Sequence, residues 1–260
     1  MIDCPLNIAA VPYCNAFPLV NYLPEFLPGA AVSEYYPSAM RQLLVNGTID
    51  LALMPVAELL RLPKAKIVSN CCIACNGAVR SVLLCSRKPI EQIRSISLDT
   101  ASRSSIMICG LLLKHFYGLT PEKHRLETNE DANACQTDAF VIIGDRALAY
   151  QPSDCWTYRY DIGELWKSQT GLPLVFAAWI GNSSKVWEPP VVSALELSRD
   201  KGLQHFEEIL DIKERKGVAL PMSREQTLDY YRHAVVYTLG EEEQAGLQRF
   251  REIAEMCSEP

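Results

Sequence analysis

The order of short apolar runs and helical runs over the first sixty residues limits the fold more than any other feature of this chain. Leu6-Asn7-Ile8-Ala9-Ala10-Val11 is a brief apolar run closed by Pro12, the mark of a buried strand. Pro18, Pro24 and Pro28 keep the helical segment that follows short and broken, because proline lacks an amide proton and clashes with the turn before it. Residues 31–36 (AVSEYY) alternate as a strand. Pro37-Ser38 then opens a helix, with Ser38 expected to cap it and Asn46-Gly47 expected to end it. Residues 49–54 make a third buried strand, closed by Pro55. Strand–helix–strand–helix–strand over so short a span requires a mostly parallel sheet with helices on its faces.

Beyond residue 60 the pattern continues. Residues 67–86 read as extended chain interrupted at Asn76-Gly77, and further strands are expected at 95–98, 140–143 and 174–180. Helices are expected at 106–117, from Gly144-Asp145 onward, and at 161–166. From Pro189 the pattern turns helical, over 191–211, 223–238 and 241–257. A chain of 260 residues accommodates two lobes of about 100–150 residues each. The expected division is 1–90 plus 178–260 for lobe one and 91–177 for lobe two.

Charge and composition then remove several classes of function. A net charge of −6 argues against nucleic acid as a partner, since phosphate binding calls for a basic field. No apolar run reaches the ~20 residues of a membrane helix, so no membrane partner is expected. The opening MIDCPLNIAAVPYCNAF lacks the charged start and long apolar stretch of a secretory signal, which predicts a cytoplasmic protein. In that compartment the ten cysteines read as small buried hydrophobes. Cys71, Cys72 and Cys75 cluster, and Cys72-x-x-Cys75 has a sharper reading as a metal or redox site. No second CxxC follows, however, and His115, His124, His205 and His233 fall at no ligand spacing, so no metal is expected. No GxGxxG, GxxxxGK[ST], GxSxG or HExxH occurs, so no cofactor is expected either.

Three polar loops fall at the C-terminal ends of expected parallel strands, where open α/β sheets bind ligands. The first is Tyr13-Cys14-Asn15-Ala16, and the second is Pro37-Ser38. The third, Asp99-Thr100-Ala101-Ser102-Arg103-Ser104-Ser105, places hydroxyls and an arginine ahead of a helix. A helix N-terminus carries about half a positive charge, so this third loop suits an anion. Capping is the plainer reading of these serines, and for Asp145 too. The residues alone therefore point to a small anionic ligand.

The order of several segments resembles the chorismate dehydratase family of the futalosine route to menaquinone. They are 11–16 (VPYCNA) with Pro18-Leu19, 47–56 (GTIDLALMPV), 77–84 (GAVRSVLL), 98–105 (LDTASRSS), 144–148 (GDRAL), and 161–166 (DIGELW) leading into 170–173 (TGLP). Cys14 stands where the family usually has Leu, and Ser104 where it usually has Thr. The resemblance implies an α/β, two-lobed fold like type II periplasmic binding proteins, with mixed, mostly parallel sheets and a central cleft. It implies a hydro-lyase that converts chorismate to 3-[(1-carboxyvinyl)oxy]benzoate and water. It further implies Asn15 and Ser81 as catalytic residues, with the substrate's own enolpyruvyl carboxylate taking the proton. Tyr13, Ser38, Ser102, Arg103, Ser104, Ser105, Gly144 and Asp145 are the expected substrate-binding residues. Two other readings share such a fold: a small-anion solute-binding protein, and the related 1,4-dihydroxy-6-naphthoate synthase.

Overall fold

The computed structural model describes residues 6–100 and 103–258. In chain order the elements are β1 (Asn7–Ala10), α1 (Phe17–Val20), α2 (Leu23–Phe26), β2 (Ala31–Glu34), α3 (Pro37–Val45), β3 (Leu51–Pro55), β4 (Lys66–Cys75) and β5 (Val82–Ser86). There follow β6 (Ser95–Asp99), α4 (Arg103–Tyr117), β7 (Glu122–Leu126), β8 (Ala139–Ile143), α5 (Gly144–Ala149), β9 (Tyr158–Asp161) and α6 (Ile162–Thr170). The chain ends with β10 (Leu174–Gly181), α7 (Pro189–Gln204), α8 (Phe206–Arg215), α9 (Arg224–His233), β11 (Val236–Thr238) and α10 (Glu241–Ser258). These elements form two compact units, Met1–Ala74 with Val175–Gly240, and Cys75–Leu174 with Glu241–Pro260.

The first unit carries a six-stranded sheet in the order β11-β4-β10-β3-β1-β2. β1 pairs in parallel with β2 and with β3, as the strand–helix alternation requires, while β10 returns antiparallel to β3. Every residue of β3 is buried, the signature of a strand covered on both faces. Helix α7 lies so close to α1 that a Cβ on Gly202 would overlap the carbonyl of Pro18, which is why glycine occupies that place.

The second unit carries a five-stranded sheet in the order β7-β6-β8-β5-β9. β6 runs parallel to β7 and β8, and β5 runs antiparallel to β8 and β9. Its core is built around Phe140, whose ring meets Tyr150 and Trp156 edge-on at 5.4 and 4.6 Å. Asp138 ties three strands together. Its carboxylate accepts from the Arg94 and Ser95 amides at 2.9 and 3.2 Å and pairs with Lys88 at 2.6 Å.

Several expectations are corrected. Residues 75–90 belong with the second unit, because β5 is hydrogen-bonded between β8 and β9. The C-terminal helix belongs there too, since α10 packs on α4. The helix expected over 191–211 is broken at His205 into α7 and α8. The helix expected to reach 238 stops at His233, and Val236–Thr238 joins β4 as an edge strand instead. β7 and β9 lack the apolar alternation that would have marked them, being the edges of their sheet.

Candidate functional site

The candidate residues fall on one edge of each sheet. In the first unit β1 leads through Val11 and Pro12 into a 3-10 turn at Cys14–Ala16, closed by the Ala16 amide donating to the Tyr13 carbonyl at 3.0 Å. A buried hydroxyl holds this turn from the side: Tyr231 of α9 donates to the Cys14 carbonyl at 2.9 Å. The α9 helix that carries it is itself fixed by a capping box between Ser223 and Gln226. Asn15 sits within the turn, half-buried, and its Oδ1 is buried without a hydrogen-bond partner among the described residues. An acceptor shut off from water is costly unless something donates to it, so this atom suits a ligand donor.

β2 ends on the same side as β1, their last residues Glu34 and Ala10 being in register. Its continuation carries Ser38, so Tyr13, Asn15 and Ser38 lie at one edge of the first sheet. Ser38 does not cap α3, contrary to expectation. Pro37 takes the first helical place, the cap position falls to Tyr36, and no side chain caps the helix. Ser38 is exposed in the first turn.

In the second unit the C-terminal ends of β6, β8 and β9 share an edge with the start of β5, which runs the opposite way. Ser81 precedes β5 and is buried, and its carbonyl accepts from the Gly144 amide at 2.7 Å. That bond brings Ser81, Gly144 and Asp145 together. Gly144 turns with φ 61°, a left-handed conformation that favours glycine, and opens α5. Asp145 is therefore in the first turn and does not cap the helix, contrary to the plainer reading.

The helix expected from 106 begins one turn earlier, so Arg103, Ser104 and Ser105 belong to the first turn of α4. Ser105 is buried. Ser102 lies outside the described residues, as do the side chains of Arg103 and Ser104. The strand before them ends in Asp99, fully buried and paired with Arg146 at 2.9 Å. Arg146 also donates to the Glu130 carbonyl at 2.8 Å, so one guanidinium braces two loops of this edge. Beside it, the Arg125 guanidinium and then the Thr100 hydroxyl hold the Glu127 carboxyl below the usual carboxylate range. Sequence reasoning had Asp99 only as the first residue of the third polar loop and gave Arg146 no role, although both lie in segments that carried the resemblance.

The CxxC cysteines are core, not chemistry. Three residues apart on β4, Cys72 and Cys75 point to opposite faces of the strand and cannot share a metal. Burial pushes the thiol of Cys71 up to about 11 and that of Cys75 up to about 12. Among the described residues no group of three or more His, Cys, Asp or Glu is placed to hold a metal ion. No described helix is long and apolar enough to cross a membrane.

A protein-family profile described as menaquinone biosynthesis matches residues 6–256. The chain is 27% identical to a chorismate dehydratase of Thermus thermophilus over 256 residues, covering 92% of each protein. Among solved structures it superposes on an Archaeoglobus fulgidus protein with a TM-score of 0.74 at 15% identity, covering 97% of both chains. A Candida albicans protein described as having the generic periplasmic binding protein fold matches with a TM-score of 0.61 at 11% identity, over 99% of this chain and 92% of that one. The expected fold is thus present: an α/β chain of the periplasmic-binding-protein type with two mixed sheets.

Proposed function

The chain belongs to the menaquinone-biosynthesis family, and from that premise we propose that it is a chorismate dehydratase, a carbon–oxygen lyase that opens the futalosine route. The observation that carries the reading is the similarity to the Thermus thermophilus enzyme, which runs along 92% of both chains. The geometry supports it through the unpartnered Asn15 Oδ1 and through Ser81, pinned beside Gly144 at a strand edge.

The reaction balances without an added reagent. Chorismate loses the C3 proton and the C4 hydroxyl as water, and the ring becomes aromatic as 3-[(1-carboxyvinyl)oxy]benzoate. Nothing is oxidised or reduced. Removing the C3 proton leaves charge that is conjugated, through the C1–C2 double bond, to the ring carboxylate. The substrate's enolpyruvyl carboxylate takes the proton. Asn15 and Ser81 act on the reacting groups, one orienting a carboxylate and the other hydrogen-bonding the departing hydroxyl. Tyr13, Ser38, the 102–105 turn at the start of α4, Gly144 and Asp145 bind and orient the substrate, with the α4 N-terminus favouring a carboxylate. The work takes place in the cytoplasm, where free thiols persist, and the described cysteines are all free.

Purified protein incubated with chorismate alone tests the reading, with the products followed by chromatography. Formation of the aromatic enol ether supports it, and unchanged chorismate rejects it. A protein of this fold that only binds an anion would retain chorismate, or another carboxylate, without converting it.

A further inference from the structure

We propose that Asp161 is a positioning residue, whose carboxylate holds the Val79 and Arg80 amides and thereby sets the place of the Ser81 hydroxyl; this rests on the reading that Ser81 acts on the substrate. Asp161 ends β9 and caps α6, where Oδ1 accepts from the Gly163 and Glu164 amides at 2.9 and 3.2 Å. A cap needs no more than that, and Ser, Thr or Asn would serve. Here the same carboxylate reaches across to a distant loop. Oδ1 also accepts from the Val79 amide at 2.9 Å, and Oδ2 accepts from the Arg80 amide at 2.6 Å. Four amides on two acceptor oxygens require a carboxylate. Asparagine would turn a donor toward one of these N–H groups, and serine has a single oxygen.

The loop so held is one that needs holding. Arg80 has φ 63°, the left-handed region, and no other described non-glycine residue has a positive φ. A side-chain-bearing residue leaves this region unless its surroundings fix it. Ser81 comes next, with its carbonyl tied to the Gly144 amide at 2.7 Å. Asp161 therefore fixes the two peptides that lead into Arg80, and Gly144 fixes the peptide that follows Ser81. Gly163 lets α6 come this close, since a Cβ there would overlap the Gly77 carbonyl and the Cys75 sulfur.

The test compares the parent chain with Asp161→Asn, Asp161→Ser, Arg80→Gly, and the double variant Asp161→Asn with Arg80→Gly. Ser81→Ala is run beside them. The readouts are kcat and KM on chorismate, the melting temperature, and amide hydrogen exchange at residues 79–81. Misplacing the hydroxyl predicts a kcat loss of about 10- to 100-fold in Asp161→Asn with KM changed less than about threefold. Exchange at 79 and 80 rises in the same variant. Glycine at 80 adopts a left-handed φ unaided, so the double variant recovers at least about threefold in kcat over Asp161→Asn. Asp161→Ser keeps the helix cap, and it supplies the same comparison if Asp161→Asn does not fold. A kcat within twofold of the parent in both Asp161 variants overturns the proposal. So does a loss that follows the melting temperature and gains nothing from glycine at 80. Full turnover by Ser81→Ala, with Asp161→Asn impaired, instead overturns the assignment of Ser81 on which the proposal rests.

Discussion

Adding one methyl group at Gly163 and at Gly110 should change stability in opposite directions. Both glycines are helical, and alanine is the better helix former by about 1 kcal/mol in a helix interior. At Gly110, inside α4, an added Cβ meets nothing within 4 Å. Gly110→Ala should therefore stabilise by about 0.5–1 kcal/mol. At Gly163 the same Cβ would overlap the Cys75 sulfur and the Gly77 carbonyl, and would come within 3.2 Å of Asp161 Oδ1. One of those obstacles is backbone, and the Asp161 carboxylate behind it is already committed to four amides. Overpacking against two atoms at once sits at the upper end of the usual range, about 3 kcal/mol, of which the helix-propensity gain offsets about 1 kcal/mol. A net loss of about 2 kcal/mol corresponds to a melting temperature lower by about 4–8 °C for a chain of this size. Circular-dichroism melts of the parent and both variants measure it. If Gly163→Ala melts within 1 °C of the parent, or above it, the close approach of α6 to the 75–77 segment is wrong, and so is the argument built on it.

Other consequences follow from the same contacts. The Lys88 ammonium, followed by the Arg94 and Ser95 amides, holds the Asp138 carboxyl below its usual range. A depressed carboxyl contributes its stability above the ordinary carboxylate pKa and loses it as pH falls through the folded value. Urea titrations should therefore find Asp138→Asn less stable by about 1–2 kcal/mol at pH 7, with the gap closing in acid; a gap that persists unchanged at pH 2 contradicts this. Ellman's reagent should label the exposed Cys155 of the native protein quickly, and reach Cys71, Cys75, Cys85 and Cys109 only after denaturation. Early reaction at Cys71 or Cys75, located by mass spectrometry, would remove these cysteines from the core. Asn15→Ala and Ser81→Ala should each lower kcat on chorismate by at least about 100-fold while the melting temperature stays near the parent's; full turnover in both rejects the site assignment.

How far the sequence reached depended on whether a signal was local. Pro12, Pro37 and Pro55 punctuate the first three strand–helix boundaries, so β1, β2 and β3 were legible to within two residues at each end. The edge strands β7 (EKHRL) and β9 (YRYD) were not, because they face water and carry no alternation; their pairing partners make them strands. Capping was misread wherever the residue before the presumed cap had a stronger claim to the helix. Pro37 displaces Ser38 from the cap, and Gly144 displaces Asp145. The lobe boundary moved because residues 82–86 read as a continuation of 67–75, whereas their hydrogen bonds go to β8 and β9. For Asp161 the segment shows a helix cap and nothing more, since the Val79 and Arg80 amides it holds are about eighty residues away. Strand-end placement of Asn15 and Ser38 came from pattern, whereas Ser81 and the identity of the substrate came from the resemblance alone.

A dehydration that leaves the enolpyruvyl ether intact can be read from proton NMR of a chorismate solution treated with this protein. The cyclohexadiene signals should be replaced by those of a meta-substituted benzoate ring while the enol-ether methylene protons remain. Chorismate that persists unchanged in the presence of stoichiometric folded protein would rule the dehydration out. So would release of free pyruvate with 4-hydroxybenzoate, which would mean that the ether bond was broken in place of the C4–hydroxyl bond.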